Sequence, residues 1–242
     1  MLPSQLPIAN KILAALPRSD YQRLLNSLEL VDVAAGEVLC ESGAPFQYVH
    51  FLNDALVSLL MSVDDTNMFA VGLVGREGMT SVHCALGAEH SAERVTVQSA
   101  GSALRMPARV FVQEFRDCTA LRVACLKFVQ TLQTQISETA ACNRFHGIEV
   151  RLARWLLMTR DRLSSDHFHM THETLGNLLG VRRVGVTNAA HALKLRGLID
   201  YSRGAIDIID GNGLREVACS CYRVVDGRHG EERSPVESTP SL

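Results

Sequence analysis

Two arginines and several small polar residues follow a glycine turn in the segment His172–His191 (HETLGNLLGVRRVGVTNAAH). Side chains of these types match the phosphates and base edges of nucleic acids. Apolar residues at helical spacing predict two short helices that pack on each other: Leu175, Leu179, Val181, Val186 and Ala189. Gly176 is small where the helices meet, and Gly180 supplies the left-handed turn. The segment predicts a helix-turn-helix whose second helix can enter a major groove, with an ordinary core hairpin as the alternative.

Positive charge is concentrated around this segment, although the chain of 242 residues carries a formal net charge of -2. Residues 144–204 contain 10 Lys/Arg against 5 Asp/Glu, whereas residues 1–143 contain 10 against 14 and residues 205–242 contain 4 against 7. Binding to phosphates requires a local surplus of this kind. The content of 47% hydrophobic and 21% charged residues is ordinary for a globular chain with a buried core.

Short β-like runs separated by turn residues occupy residues 29–106. Val, Phe and Leu recur there at a spacing near two, which is typical of a β-roll or sandwich. We therefore expect an N-terminal double-stranded β-helix (jelly-roll-like) domain over residues 8–116. Helices precede the strands, the second capped by Ser19 or Asp20, and a short helix at 107–115 follows them.

A long helix is predicted over residues 117–146, where apolar residues recur at threes and fours. A helix of about 27 residues is ~40 Å long, which exceeds what covering one domain needs. We interpret it as a dimerisation helix that pairs with a second copy of the chain. The expected dimer seam consists of Leu121, Cys125, Phe128, Leu132 and Ile136.

The C-terminal domain is expected over residues 147–225, with Gly147 as the hinge. An amphipathic helix is predicted for Ile148–Arg162, and a final short helix for 212–225. The polar residues 226–242 are rich in Gly, Ser and Pro and predict a disordered tail.

Two local signals surround the helix-turn-helix. Thr171 is a natural N-cap for its first helix, and LIDYSRGAIDIID predicts a β-hairpin wing around Arg203 and Gly204. Together the elements predict an α+β fold: a jelly-roll-like N-terminal domain, a long dimerisation helix and a C-terminal winged helix-turn-helix.

The cysteines form no CxxC pair, and we expect most to be buried and reduced: Cys40, Cys84, Cys118, Cys125, Cys142, Cys219 and Cys221. A redox or metal role for Cys219 and Cys221 stays open, but a buried pair on one short helix is the favoured interpretation. No cofactor and no metal site are predicted.

Neither a membrane span nor a signal peptide is visible in the sequence. No apolar run approaches the ~20 residues that a span requires, and the N-terminus lacks a charged start followed by an apolar core. We expect the chain to stay in the cytoplasm.

These elements in this order resemble the Crp/Fnr family of bacterial transcription regulators. The likeness covers about residues 10–225 and is most specific in Thr171–Ile199 and the hairpin that follows. The resemblance implies a non-enzymatic homodimer on a roughly palindromic operator, with half-sites ~34 Å apart. The implied partners are double-stranded DNA, a second copy of the chain and RNA polymerase, and not a membrane.

The resemblance also assigns contacts to DNA. Arg183 keeps a bidentate donor for guanine, Val184 can touch only a thymine methyl, and Asn188 can pair with adenine. The half-site should therefore differ from the one that the best-known members read. The full set of expected DNA-binding residues is Thr171, His172, Arg182, Arg183, Val184, Thr187, Asn188, His191, Lys194 and Arg203.

The effector site of that family is altered here. A cyclic-nucleotide site there needs a Gly-Glu for the ribose and an Arg-Ser or Arg-Thr pair for the cyclic phosphate. Gly75 and Glu77 retain the first pair, separated by one residue, whereas Ser91 and Ala92 stand at the second. The expected pocket residues are Gly75, Glu77, Gly78, Ser91, Ala92 and Arg94. Without the arginine a phosphodiester loses its main partner, so we expect no cyclic AMP binding.

Other chemistries have weaker support. An iron-sulfur cluster needs grouped cysteines, which the N-terminus lacks. Haem needs an axial ligand, and His83 beside Cys84 is the candidate that the sequence offers. A winged helix that contacts protein instead of DNA is the competing function. An enzyme would have to use Glu77 with His83, or His167 with His169, and no nucleophile-base set accompanies either pair.

Overall fold

The computed structural model describes residues 9–63 and 68–222. The helices are α1 (Lys11–Ala14), α2 (Arg18–Leu24), α3 (Ala108–Asp117), α4 (Thr119–Phe145), α5 (Ile148–Leu163), α6 (His172–Leu179), α7 (Arg183–Leu195) and α8 (Gly211–Val217). The strands are β1 (Glu29–Val33), β2 (Val38–Cys40), β3 (Tyr48–Leu52), β4 (Leu56–Ser62), β5 (Met68–Val74), β6 (Arg94–Ser99), β7 (Gly101–Pro107), β8 (His167–His169), β9 (Ile199–Ser202) and β10 (Ala205–Ile208). The tail expected at 226–242 lies outside the described residues.

The N-terminal half consists of two antiparallel sheets with strand orders β1-β7-β3 and β2-β6-β4-β5. Alternating apolar residues of both sheets fill one core, with Phe51 and Leu104 from the first sheet and Val57 and Val97 from the second. The short strands with Gly- and Asp-rich turns therefore form the predicted jelly-roll-like domain.

The first helices close one end of this domain. Asn10 caps α1 by accepting from the amides of Ile12 and Leu13, and its side-chain amide donates to the carbonyls of Leu52 and Gly78 at 2.8 and 2.7 Å. The expected cap of α2 at Ser19 or Asp20 is wrong, because the helix already begins after Pro17. Proline fits there since its fixed φ suits the start of a helix.

The expected dimer seam lies inside the chain's own core. Leu121, Cys125, Phe128 and Leu132 are buried against the β-sheets, and Ile136 packs beside them. Gln135 fixes the same face, since its side chain both donates to and accepts from the backbone of Leu73 at 3.0 Å. The assignment of Leu121, Cys125, Phe128 and Leu132 to contacts with a second copy is therefore corrected, whereas Ile136 is only partly buried and its assignment stays a prediction. The repeat of threes and fours marks the face of α4 that covers the β-roll.

The C-terminal half is a winged helix-turn-helix. Strands β8, β10 and β9 form a three-stranded sheet whose β9–β10 hairpin turns at Arg203 and Gly204, as predicted. A second core joins this sheet to α5, α6, α7 and α8. The interpretation of Cys219 and Cys221 as a helical pair is wrong, because α8 ends at Val217 and both cysteines follow it, half-buried.

The two halves share apolar contacts. Leu56 and Leu60 of β4 and Ala70 and Leu73 of β5 belong to the core of the C-terminal half. Helix α5 is enclosed on all sides, since residues 151–159 are buried without interruption. Among the residues that the structure describes, no helix combines the length and apolar character needed to span a membrane.

Candidate nucleic-acid interface

Three local sequence features set the angle between α6 and α7. The Thr171 hydroxyl oxygen accepts from the Thr174 amide at 3.1 Å and begins α6. Gly180 ends that helix with φ +62°, a left-handed conformation that glycine adopts without strain. A Cβ on Gly176 would lie 3.0 Å from the Val181 carbonyl oxygen, a tight contact with the backbone that glycine avoids. These local features set the direction of α7 relative to α6.

One side of α7 is free of the core. Arg183, Val184, Asn188 and His191 are exposed, and Val184 is 62% exposed despite being apolar. Val186, Ala189, Ala190 and Leu193 are buried on the opposite side. Because these positions alternate with helical periodicity, the exposed side forms one continuous surface. Arg182 precedes it as the N-cap residue, also exposed.

Two of the expected DNA-binding residues hold the helices together. The His172 ring Nδ1 lies 3.2 Å from the Thr187 hydroxyl, which also donates to the Arg183 carbonyl at 3.1 Å. The ring packs against Tyr201 of the wing at a centroid distance of 4.8 Å. Burial and then the positive charge of Arg183 lower the pKa of His172. This histidine is therefore neutral at pH 7 and links α6, α7 and the wing.

Lys194 is paired at the far end of α7. Its Nζ donates to Asp200 Oδ1 at 2.5 Å and lies 5.2 Å from the centre of the Tyr201 ring. The hydrogen bond to Asp200 raises the pKa of Lys194 and lowers that of its partner. Sequence reasoning missed Asp200 and Tyr201, which lie on β9 and orient the predicted phosphate contact. Arg203 is exposed at the tip of the wing.

The expected effector residues contact different parts of the chain. Glu77 accepts from Arg162 of α5 at 2.8 Å, and a Cβ on Gly78 would collide with Phe128 of α4. Ser91 donates to the Glu93 carbonyl at 2.7 Å, Ala92 accepts from Ser42, and Arg94 pairs with Glu41 at 3.3 Å. Glu77 and Gly75, whose Cβ would lie 2.9 Å from Arg162 Cβ, thus lie where the two halves of the chain meet. Of the six, only Arg94 lines the cleft of about 430 Å³ between the β-roll and α6.

The histidines weighed for enzymatic chemistry have structural neighbours. His167 Nδ1 lies 2.6 Å from Asp207 across the wing sheet, while His83 Nδ1 lies 3.9 Å from Glu93. Burial raises the pKa of the adjacent Cys84 thiol to about 11, so this cysteine stays protonated at pH 7. Neither arrangement supplies an activated nucleophile.

Comparison with known protein families matches one segment of the chain. Residues 150–217 match the model of the Crp-like helix-turn-helix domain. A comparison with curated proteins found no match. The match to the family model identifies a Crp-like helix-turn-helix domain in the C-terminal half of the chain.

Solved structures that are similar to this chain specify its overall fold. A transcriptional regulator of the Crp/Fnr family from Eubacterium rectale is 15% identical, with a TM-score of 0.68 over 87% of this chain and 99% of that one. FixK2 from Bradyrhizobium japonicum is 12% identical, with a TM-score of 0.69 over 80% of this chain and 98% of that one. A CRP-family regulator from Thermus thermophilus is 16% identical, with a TM-score of 0.67 over 80% of this chain and 99% of that one. The chain has the Crp/Fnr regulator fold, as its sequence predicted.

Proposed function

We propose that the chain is a sequence-specific DNA-binding transcription regulator that acts as a homodimer on a palindromic operator. The exposed side of α7 supports this most directly. Arg183, Val184 and Asn188 stand there next to each other at its N-terminal end, where a recognition helix meets base edges. Arg183 would select a guanine, Asn188 an adenine and Val184 a thymine methyl. Arg182, His191 and Lys194, with Thr171 and Arg203 around them, would contact phosphates.

The surface that would pair two copies is the side of α4 opposite the core. Val123 and Leu126 are 45% and 46% exposed there, and Phe145 is exposed at the end of the same side. They lie half a helical turn from the buried row that includes Leu121 and Leu132. We therefore place the helix-helix contact of the homodimer on this surface.

The test is selection of bound sequences from a random DNA pool, followed by mobility shifts at two salt concentrations. Arg183→Ala should cost about 1–3 kcal/mol on the selected operator and relax preference at one base pair. Arg109→Ala, an exposed arginine on α3, is the matched control and should change neither. Equal weakening on all sequences would make Arg183 a phosphate contact, and no binding at low salt would favour a protein-contacting winged helix.

The altered effector residues support a regulator that does not respond to cyclic AMP. Glu77 already has Arg162 as its ionic partner, and Arg94 has Glu41. A cyclic phosphate would have to break the second pair to gain an arginine. Calorimetry with cyclic AMP should show no binding, and the nucleotide should leave operator affinity unchanged. Saturable binding with tighter operator binding would contradict this.

The same proposal makes RNA polymerase a partner and the cytoplasm the location. Co-purification of polymerase with the operator-bound dimer tests the first. Fractionation of cells that express the chain tests the second.

A further inference from the structure

Four metal-ligand side chains meet where the long helix ends. Cys142 lies in the last turn of α4 and His146 follows four residues later, so both face the same side. Cys219 and Cys221 reach this place from the segment after α8. Cys142 Sγ lies 3.5 Å from Cys219 Sγ, and Cys221 Sγ lies 3.8 Å from His146 Nδ1. All four ligand atoms lie within 4.8 Å of one another.

These separations fit four ligands around a single ion. A tetrahedral site with metal-sulfur bonds of about 2.3 Å has ligand atoms about 3.8 Å apart. An iron-sulfur cluster would require a wider arrangement, because its cysteines bind different irons. A Cys142–Cys219 disulfide would use two of the four groups and leave the other thiol and the imidazole without a role.

A buried arginine beside the cluster gives a second, independent indication. Arg154 is 1% exposed, and within the described part of the chain its guanidinium hydrogen-bonds to two neutral oxygens. These are the Cys221 carbonyl at 3.0 Å and the Thr139 hydroxyl at 3.2 Å. A buried cation normally needs a compensating negative charge. A divalent ion with three thiolates and a neutral imidazole carries one net negative charge, which would balance this guanidinium.

We propose that Cys142, His146, Cys219 and Cys221 form a tetrahedral site for a divalent thiophilic cation of the zinc type. Each ion bound displaces one proton from each of the three thiols, and His146 binds through the lone pair of Nδ1. No oxidant is consumed. Cys219 and Cys221 are only half-buried, so an ion can reach the site from solvent.

The site joins parts of the chain that move separately if the hinge bends. Two ligands lie at the end of α4, directly before the Gly147 hinge, and two lie after the last described helix. A bound ion would therefore fix the C-terminal half to the long helix. Sequence reasoning predicted no metal, because 77 residues separate Cys142 from Cys219 and no local motif links them.

The test is a titration of the reduced, metal-free full chain with cobalt(II). One equivalent per chain should give the visible bands of tetrahedral cobalt and a thiolate charge-transfer band, and zinc should displace both. Proton release into a weak buffer should accompany binding. His146→Cys should keep the site and strengthen the charge-transfer band, since a fourth thiolate replaces the imidazole.

Matched variants distinguish the site from other thiols. Cys219→Ser and Cys221→Ser should each lower cobalt affinity at least tenfold, whereas Cys84→Ser, a buried cysteine of the β-roll, should leave it unchanged. Circular dichroism confirms that each variant is folded. Absence of the tetrahedral spectrum in folded, reduced wild-type chain overturns the proposal. A Cys142–Cys219 disulfide mapped in a chain that binds no cobalt when reduced overturns it in favour of a redox pair.

Discussion

The buried ion pair between Glu77 and Arg162 should be a large single contribution to the contact between the two halves. Glu77 Oε1 lies 2.8 Å from Arg162 Nε, and the side chains are only 9% and 4% exposed. Glu77→Ala leaves the guanidinium with the Met158 carbonyl and a 3.4 Å contact to Gln135. Because the remaining charge stays buried without its anion, we expect a loss of about 3–5 kcal/mol in unfolding free energy. Glu77→Gln keeps an acceptor and should cost about 1.5–3 kcal/mol.

Urea unfolding followed by tryptophan fluorescence measures this loss of unfolding free energy with a probe in the helix that carries the ion pair. Trp155, the only tryptophan in the sequence, is buried in α5, the helix that carries Arg162. The control is Glu41→Ala, which removes an exposed pair with Arg94 and should cost under about 1 kcal/mol. Replacing both members of the buried pair by Leu and Met should restore most of the stability. If Glu77→Ala lowers the unfolding free energy by no more than the control does, the ion pair between Glu77 and Arg162 of α5 is not formed in solution.

Two further predictions concern the core and its response to acid. Leu132→Asp should destabilise the fold by more than about 3 kcal/mol because it buries a charge, whereas Leu126→Asp should give folded monomers. Circular dichroism with light scattering separates the two, and a stable folded monomer from the first variant would return Leu132 to the dimer surface. Burial, and then the charge of Arg105, lower the pKa of His50 to about 4. Since the unfolded chain binds the proton from about pH 6.5 downwards, about 2 kcal/mol of stability should be lost between pH 7 and 4.5. His50→Gln should remove that part of the pH dependence in urea titrations, and an unchanged pH profile would contradict it.

The helix-turn-helix could be predicted from the sequence because its determinants are local. Gly180 requires a positive φ, Gly176 requires close approach, and Thr171 caps the helix within three residues. The wing is equally local, since Arg203 and Gly204 form the turn that joins its paired strands. Such features depend on neighbours along the chain and do not require knowledge of the tertiary fold.

The seam on α4 could not be assigned from the sequence, because apolar periodicity shows that a face is buried but not what covers it. Leu121 and Leu132 repeat as a coiled-coil seam would, yet they meet the β-roll. Val123 and Leu126, which we propose for the dimer contact instead, lie among polar residues and form no apolar repeat in the sequence. The roles of Glu77 and Cys142 were hidden for a related reason, since Arg162 and Cys219 are distant in sequence.

Helix α5 explains how a change near the long helix could reach the exposed side of α7. Arg154, in the middle of α5, donates to Thr139 of α4 and to the backbone of Cys221, while Arg162 near the C-terminal end bonds to Glu77 of the β-roll. The same helix packs against α7 and α8. Polar contacts hold α5 at its middle and near its C-terminal end, and its apolar surface packs against α7. A rotation about Gly147 must therefore either carry α7 with it or break these contacts. The orientation of α7 is therefore determined by what α5 contacts, and not by the helix-turn-helix alone.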